Sequence, residues 1–303
     1  MRKKLLPLIL LIFLFLCGFI QFGKSSNFEI QFIDVGQGDS ALVECDGHCM
    51  LIDGGGKNHG KNVQDVLTSK QIQHLDILAV SHFHEDHYAG FIKALENVNK
   101  IDLVISNSDD YKNGIGIDEN SEEEDERKER KTFDEFEAAL RGSKVKKIKV
   151  PSVGSKYELG SATVEVVDNS CSQDNDSLVL LITYGKTKFL FTGDIEYNAQ
   201  KRIYEKYQDK DGVDKGFKID LMKMPHHGAY SGSLQGFLRT FMPDYVVFSV
   251  GQENSYHHPK EKTLELISDK KGGFHPTILR TDQDGNITVK SDGKKLTILK
   301  SKN

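Results

Sequence analysis

The chain has 303 residues, of which 38% are hydrophobic and 28% are charged. This length and composition are typical of a soluble globular body, built as one large layered domain or as two small ones. The formal net charge is −5. Because phosphate contacts usually require a basic surface, this charge disfavours a dedicated nucleic-acid-binding protein, although a local basic groove is compatible with it.

Residues 1–26 are predicted to be a signal peptide or a membrane anchor. A positive start at residues 2–4 precedes an uncharged apolar run at residues 5–22, which is just long enough to span a bilayer. No clear small-residue cleavage site follows, so an uncleaved anchor is favoured over a cleaved peptide, with lipid attachment at Cys17 as a third alternative. Because the positive residues precede the run, the body, residues 27–303, is predicted to lie outside the cytoplasm.

The first half of the body reads as short strands with helices between them. Turn residues separate the β-rich segments FEIQFIDVG, SALVEC, CMLIDGGG, LDILAV and IDLVIS. Helical spacing of apolar residues predicts helices at residues 62–70, 88–97 and 133–140. The highly charged stretch at residues 109–131 is interpreted as a solvated loop or as the exposed start of a helix.

The second half forms another β-rich series. Its predicted strands are ATVEVV, SLVLLITYG, TKFLFTGD, DLMKMPHHG, DYVVFSVG, TILRTD and NITVK, with a helix near residues 200–207. Two such halves would pack as a sandwich of two sheets with helices outside. The lysine-rich segment at residues 144–149 is interpreted as a solvated edge strand, with contact to a phosphate backbone as the alternative.

Cys45 and Cys49 flank a predicted hairpin turn at residues 46–48. Outside the cytoplasm they could form a disulfide across the hairpin. Two unpaired strand cysteines are an equally open alternative. A zinc site is disfavoured, because no second Cys/His pair stands at zinc-finger spacing.

The strongest chemical motif directly follows the apolar strand LDILAV. It places His82, His84, Asp86 and His87 within six positions. Alternate side chains of an extended segment face the same way, so His82 and His84 can converge on one ion. Asp86 and His87 lie at a predicted helix start and can face a second ion. Imidazole and carboxylate ligands suit Zn²⁺, and also Mn²⁺ or Fe.

Three further segments carry candidate site residues. Asp194 ends a buried strand after a glycine, where a carboxylate could bridge two cations. His226 and His227 follow the segment LMKM, and one of them could complete the second site while the other contacts the substrate. His258 lies in a polar stretch and could donate a proton to a leaving group. Taken alone, the Asp194 segment is more typical of a simple turn, and each histidine segment is equally compatible with a structural loop.

Taken in order, these segments resemble a known family. FIDVGQGDS, LIDGGG, SHFHEDH, TGDIE, MPHHG, SVGQENSYHHP and LRTDQDGNI are similar to the metallo-β-lactamase superfamily, and most similar to the hydrolase domain of ComEC-type DNA-uptake proteins. The resemblance runs from Asn27 to the C-terminus. It implies an α/β fold, an αββα sandwich with the metals at one edge of the two sheets.

The resemblance also implies roles for individual residues. The implied metal ligands are His82 and His84 for the first ion, Asp86 and His87 for the second, Asp194 as the bridge, and His227, with His226 as the alternative, as the last ligand. Asp53 in LIDGGG resembles an aspartate that orients the site through hydrogen bonds. The candidate catalytic residues are Asp86, His226 and His258.

One stretch departs from the wider superfamily. Many members carry a histidine ligand just before the strand that precedes TGD, whereas this chain has Gln-Asp-Asn-Asp-Ser at residues 173–177. The ComEC-type subgroup similarly has Asn and Ser there. The first ion is therefore expected to be held weakly, or to be completed by Asp174 or water.

The implied activity is hydrolysis by metal-activated water, with two divalent ions, Zn²⁺ being favoured. The leading hypothesis is a phosphodiesterase that acts on nucleic acid, such as DNA, or on a cell-envelope phosphodiester such as phosphorylcholine on teichoic acid. A β-lactam or lactone hydrolase is a second hypothesis, and the missing histidine counts against it. A non-catalytic envelope binding module on the same fold is a third, which the intact metal motif disfavours.

Overall fold

The computed structural model describes residues 27–107, 123–170, 176–208, 217–231, 234–268 and 275–302. The predicted targeting segment therefore lies outside the described residues. Within the described part of the chain, no helix is both long enough and apolar enough to cross a membrane.

Two sheets form the centre of the fold. The first has eight strands in the order β15-β14-β1-β2-β3-β4-β5-β6, and the second has seven in the order β13-β12-β11-β10-β9-β8-β7. The strands of the first sheet are β1 Phe28–Phe32, β2 Ala41–Cys45, β3 His48–Ile52, β4 His74–Val80, β5 Lys100–Ser106, β6 Ile148–Lys149, β14 Ile287–Ser291 and β15 Leu296–Lys300. Those of the second are β7 Lys156–Leu159, β8 Ala162–Asp168, β9 Val179–Tyr184, β10 Thr187–Phe191, β11 Leu221–Lys223, β12 Tyr245–Phe248 and β13 Thr277–Arg280.

Helices cover the outer faces of both sheets. They are α1 Gly60–Ser69, α2 Glu85–Tyr88, α3 Phe91–Ala94, α4 Glu124–Gly142, α5 Tyr197–Tyr207, α6 Leu234–Phe241, α7 Glu261–Ser268 and the single turn α8 Thr281–Asp284. Short 3₁₀ segments lie at Lys57–His59, Leu95–Asn97 and Pro225–Gly228. One apolar core lies between the sheets, a second under α1, α3 and α4, and a third under α5, α6 and α7. This layering confirms the predicted αββα sandwich.

Aromatic rings join the two sheets across the central core. Phe28 of β1 stacks on Tyr184 and Phe189, with ring centroids 4.8 and 4.9 Å apart. Phe32, on the same face of β1, stacks on Phe191 at 5.6 Å. Such pairs stabilise a core beyond the area that they bury, so they help to fix how the sheets lie on each other.

The predicted hairpin forms, but its cysteines stay apart. In the register of β2 and β3, Cys45 pairs with His48 and Glu44 with Cys49. Because side chains alternate between the faces of a strand, the two cysteines point to opposite sides of the sheet. Cys45 packs into the core between the sheets and Cys49 against the core under α1. Both are free, so the disulfide alternative is wrong.

One of the predicted helices is divided in the structure, and the charged stretch agrees with one of its two predicted alternatives. The helix predicted at residues 88–97 is divided into α2, α3 and a 3₁₀ turn, because the N–H of Gly90 donates to the carbonyl of Gly55 and the carbonyl of Asp86 accepts from Asp39, although the backbone of Gly90 stays helical. The charged stretch before Lys131 lies partly outside the described residues, and its described end is the exposed start of α4. Phe133, Phe136 and Leu140 form the buried face of α4, as the helical spacing predicted.

The lysine-rich segment lies at a sheet edge, as interpreted from the sequence. β6 is the last strand of the eight-stranded sheet, and both of its residues are exposed. Lys146, just before it, is paired with Asp102 of β5. The lysines therefore serve at least as charged protection of an open edge.

Candidate metal centre

The site residues follow strands that end at one edge of the sandwich. β4 leads into His82, β10 into Asp194, and β11 into His227. β10, β11 and β12 run parallel, and so do β3 and β4. Because parallel strands present their carboxyl ends on the same side, residues far apart in sequence meet there.

Asp194 lies at the centre of this cluster. Its Oδ2 is 3.3 Å from Nε2 of both His87 and His227, 3.8 Å from Nε2 of His226 and 4.0 Å from Nε2 of His82. The side chains of His82, His87, His227 and Asp194 are all buried. The structure thus brings together residues that are up to 145 positions apart in sequence (227 − 82).

Two of the histidines are held by a hydrogen bond at Nδ1. His87 donates to Asp53 over 3.0 Å, and His227 donates to the backbone carbonyl of Ser249 over 2.9 Å. In the neutral ring, this favours the tautomer whose Nε2 carries no proton. Among the described residues, neither Nε2 has a hydrogen-bond partner, although both atoms are buried. Buried imidazole nitrogens without partners, aimed at a carboxylate, fit a divalent cation.

His82 shares this pattern and is linked to Asp194 through a serine. Its Nε2 is also buried without a partner among the described residues. Its Nδ1 lies 3.1 Å from Ser81 Oγ and 3.4 Å from Ser177 Oγ. Ser177 Oγ also accepts the backbone N–H of Asp194 over 2.9 Å. Ser177 belongs to the stretch that departs from the wider superfamily, and Asp174, proposed there as a replacement ligand, lies outside the described residues.

His84 and Asp86 lie on the open side of the cluster. The ring of His84 meets that of His82 edge-on, with centroids 4.5 Å apart. Asp86 Oδ2 is 3.2 Å from His227 Nε2, and Asp86 Oδ1 is 3.9 Å from His87 Nε2. Burial opposes ionisation, but His87 and His227 outweigh it and lower the pKa of Asp86 to about 2. Asp86 is therefore an anion at neutral pH, which a carboxylate would have to be to bind a cation.

His87 and His227 have the opposite shift. Burial alone would lower the pKa of His87 and His227, but Asp194 raises both pKa values well above the ordinary range. In turn, burial would raise the pKa of Asp194, and the adjacent His227 and His87 lower it well below its usual value. His87 and His227 therefore favour the protonated form, so protons and cations would compete for their ring nitrogens. We expect metal binding to release protons and to weaken on acidification.

The PHHG segment adopts an unusual backbone. His226 and His227 have φ values of +45° and +53°, a conformation that non-glycine residues seldom adopt twice in succession. His226 donates its backbone N–H to the carbonyl of Gly193 over 3.1 Å. This turn separates the two imidazoles: His227 points into the buried cluster, whereas His226 is one-quarter exposed and contacts Glu196 over 2.8 Å.

His258 lies beside these two histidines. Its ring centroid is 5.5 Å from that of His226 and 6.3 Å from that of His227, and the exposed ring of Tyr256 stacks on it at 5.8 Å. Burial and the neighbouring histidines lower the pKa of His258 to about 4. At neutral pH the ring is uncharged, so the donor role predicted for His258 falls to the N–H of a neutral imidazole rather than to an imidazolium.

An open groove leads away from the centre. Its volume is about 950 Å³. It is lined by His84 and Asp86, by residues of α4 and by Tyr256. The charged residues of α4 that line it are Asp125, Lys128, Glu129 and Lys131.

Two residues of the centre escaped the sequence analysis. Asp39 of the GQGD segment and Lys223 of β11 are buried beside Asp194. Lys223 forms an ion pair with Asp39 and lies 3.5 Å from Asp194 Oδ1. Burial would lower the pKa of Lys223, but Asp39 and Asp194 raise it. The available signal was the lysine inside the otherwise apolar strand LMKM, because a buried lysine needs an anionic partner.

Glycines let the motif after β3 pack directly on the histidine motif. Gly54 donates its N–H to the carbonyl of His87 over 2.6 Å, and Gly90 donates to that of Gly55 over 2.8 Å. A Cβ at Gly90 would lie 1.9 Å from the Gly54 carbonyl oxygen. Both contacts are backbone, so neither partner can rotate away.

We expect Gly90→Ala to destabilise the protein by about 3 kcal/mol, since the added methyl group forces two backbone segments apart. Urea unfolding of both variants measures this. Gly142→Ala is the matched control, because a Cβ at that helical position meets no atom within 4 Å. The control should be neutral or more stable by up to about 1 kcal/mol. Equal stability of the two variants would contradict the close approach at Gly90.

Comparison with protein families gives the family of this fold. The family model described as the metallo-beta-lactamase superfamily matches residues 33–251. The chain belongs to this superfamily. Among the solved structures, the chain is similar to the metallo-beta-lactamase fold protein YhfI of Bacillus subtilis. The TM-score is 0.54 and the identity is 9%, and the match covers 87% of this chain and 100% of that chain. It is also similar to the metallo hydrolase Igni18 of Ignicoccus hospitalis, with a TM-score of 0.50 and 12% identity over 86% and 98% of the two chains.

Curated relatives lie in the ComEC-type group, as the resemblance indicated. This superfamily member is 26% identical over 287 residues to ComE operon protein 3 of Bacillus subtilis, covering 87% of this chain and 33% of that protein. It is 25% identical over 279 residues to competence protein ComA of Neisseria gonorrhoeae, covering 90% and 34%. Recombination protein 2 of Haemophilus influenzae is 25% identical over 84% of this chain and 28% of that protein. The chain therefore spans about a third of the length of these relatives.

Proposed function

We propose that the chain is a phosphodiesterase that uses two divalent metal ions, Zn²⁺ being favoured over Mn²⁺ or Fe. The ligands in this proposal are His82 and His84 for one ion, Asp86, His87 and His227 for the other, and Asp194 for both. One observation carries it: three buried imidazole Nε2 atoms have no hydrogen-bond partner among the described residues and surround one carboxylate. Membership of a superfamily of metal-dependent hydrolases supports the same assignment.

The chain's own residues have distinct parts in this reaction. Two bound cations would supply Lewis acidity and lower the pKa of a water molecule toward neutrality. Asp194 provides the anion that lets two cations lie close together, and Asp53 holds the His87 ring through Nδ1. His226 is one-quarter exposed, and in this proposal it contacts the substrate. His258, uncharged at neutral pH, can donate a hydrogen bond to the leaving group from its ring N–H.

The names of the curated relatives and the size of the groove support a phosphodiester polymer as the substrate. The curated relatives include proteins named for competence and for recombination, which fits DNA. The groove at His84 and Asp86 has a volume of about 950 Å³, at the upper end of the range for ligand pockets. A segment of a polymer suits such a groove better than a small ring does. Cell-envelope phosphodiesters belong to the same chemical class.

A metal analysis followed by a substrate screen tests this proposal. The purified protein, metal-stripped and then reloaded with Zn²⁺ or Mn²⁺, would be offered single-stranded DNA, bis(4-nitrophenyl) phosphate, a choline phosphodiester and a chromogenic β-lactam. We expect about two ions per chain and hydrolysis of at least one phosphodiester that disappears on stripping. Hydrolysis of the β-lactam alone would favour the lactamase alternative, and bound metal without any hydrolysis would favour a binding module.

We also propose that the body acts outside the cytoplasm, anchored through the N-terminal segment or secreted. The charge order of residues 2–22 supports this location. Protease added to intact cells or protoplasts should digest an anchored body, and a secreted one should appear in the medium. Full protection until the cells are lysed would contradict the proposal.

A further inference from the structure

Lys223 is a charged residue in an apolar place. It ends β11, its flanking residues Met222 and Met224 are fully buried, and it is itself only 2% exposed. Burying an ammonium group without compensation costs several kcal/mol. Here the compensation comes from two carboxylates, Asp39 and Asp194, and from the backbone carbonyl of Gly193, which accepts a hydrogen bond over 3.1 Å.

This lysine divides the two oxygens of Asp194 between different partners. Oδ1 faces Lys223 Nζ at 3.5 Å, and Oδ2 faces the histidines, with His87 Nε2 and His227 Nε2 both at 3.3 Å. The backbone N–H of Asp194 is bound to Ser177 Oγ, and Oδ1, which has no hydrogen-bond partner among the described residues, is held only by the ion pair with Lys223. A carboxylate free to rotate would present either oxygen to the cluster.

Asp39 in turn holds Lys223 in place. Its carboxylate pairs with Lys223 and lies behind the histidines, 3.5 Å from His227 Nδ1. Backbone hydrogen bonds join the loop that carries Asp39 to the segments beside it. The N–H of Asp39 donates to the carbonyl of Asp86 over 3.2 Å, and the backbone carbonyl of Asp39 accepts the N–H of Gly55 over 2.8 Å. The GQGD segment thus anchors the lysine to the wall of the site.

We propose that Lys223 is a positioning residue for the metal centre: it engages Asp194 Oδ1 and thereby presents Oδ2 alone to the metal ions. This inference rests on the proposed function. Two effects of Lys223 oppose each other. As a positive charge it repels divalent cations, whereas as a fixed partner of Asp194 it prepares the bridging oxygen before any ion arrives. Removing the lysine should therefore weaken metal binding if positioning dominates, and strengthen it if repulsion dominates.

The test uses Co²⁺, whose visible spectrum reports its ligand geometry. Lys223→Met keeps the length of the side chain and removes the charge. We expect the second Co²⁺ to bind at least about tenfold more weakly to this variant and its absorption bands to change, because Asp194 is no longer held. Lys223→Arg, which keeps the charge, should retain more of the wild-type affinity. Unchanged bands with equal or tighter binding in Lys223→Met would overturn the proposal.

A measurement without metal distinguishes failure of the positioning role of Lys223 from failure of the proposed function. In urea unfolding without metal, Lys223→Met should be destabilised, because two buried carboxylates lose their cation. Adding Asp39→Asn should recover at least about tenfold in the unfolding equilibrium constant, since the two residues act as a pair. Additive effects would overturn the positioning role. A wild-type protein that binds no Co²⁺ would instead refute the proposed function, while this arm still decides whether Lys223 organises the two carboxylates.

Discussion

Asp194→Asn is expected to fold and to lose hydrolytic activity by about 100-fold or more, the size of a main electrostatic contribution to catalysis. Asn keeps the volume of Asp and removes its negative charge. That charge lies 3.3 Å from two histidine Nε2 atoms, at the point where two cations would approach each other. Without the anion, we expect at least one of the two ions to be lost.

Metal content and turnover of a small phosphodiester, measured side by side, check this expectation. Lys146→Ala is the control, because Lys146 is exposed at the sheet edge and paired with Asp102, away from the centre. The control should hydrolyse a small ester at the wild-type rate. Its only expected defect is weaker binding of a polymeric anion. Wild-type turnover and metal content in Asp194→Asn would place the catalytic centre elsewhere.

His227→Ala is expected to have the next largest effect, and its neighbour provides a matched control. His227 is 1% exposed, donates from Nδ1 to Ser249 and directs an unpartnered Nε2 at Asp194 and Asp86. His226 is one-quarter exposed, and its Nδ1 contacts Glu196. Both residues lie on the same strained turn, so backbone effects of the two alanines are comparable.

We expect His227→Ala to lose one metal ion and about 100-fold in turnover, the upper end of effects at metal sites. His226→Ala should keep its metal content and lose less activity, mainly through weaker substrate binding. Metal analysis combined with kcat and KM for both variants separates the two roles. If His226→Ala lost the ion and His227→Ala kept it, the assignment of the last ligand would be reversed.

The predicted strands that carry the site are observed, because their signals are local. The apolar run before His82 and the strand before Asp194 end where the sequence indicates, and the structure brings these strand ends together. The spacing of Phe133, Phe136 and Leu140 likewise defined the buried face of α4. Each of these predictions depends on residues that are neighbours along the chain.

Other features depend on partners that are distant in sequence. The helix predicted at residues 88–97 is divided because the N–H of Gly90 donates to the distant carbonyl of Gly55, and no local pattern reports that contact. Cys45 and Cys49 flank one turn, yet strand register sends them to opposite faces of the sheet.

The sequence by itself determined the family and the two-sheet architecture through the order of its motifs, and it indicated the candidate site residues through the histidines and aspartates that follow buried strands. Only the tertiary structure decided how the residues divide the site. Because His226 and His227 both adopt left-handed backbone conformations, His227 points inward and His226 outward. The packing of the strands also places Lys223 beside Asp39 and Asp194. The physical reason is burial: whether a charged side chain faces water or a carboxylate depends on which strands pack together.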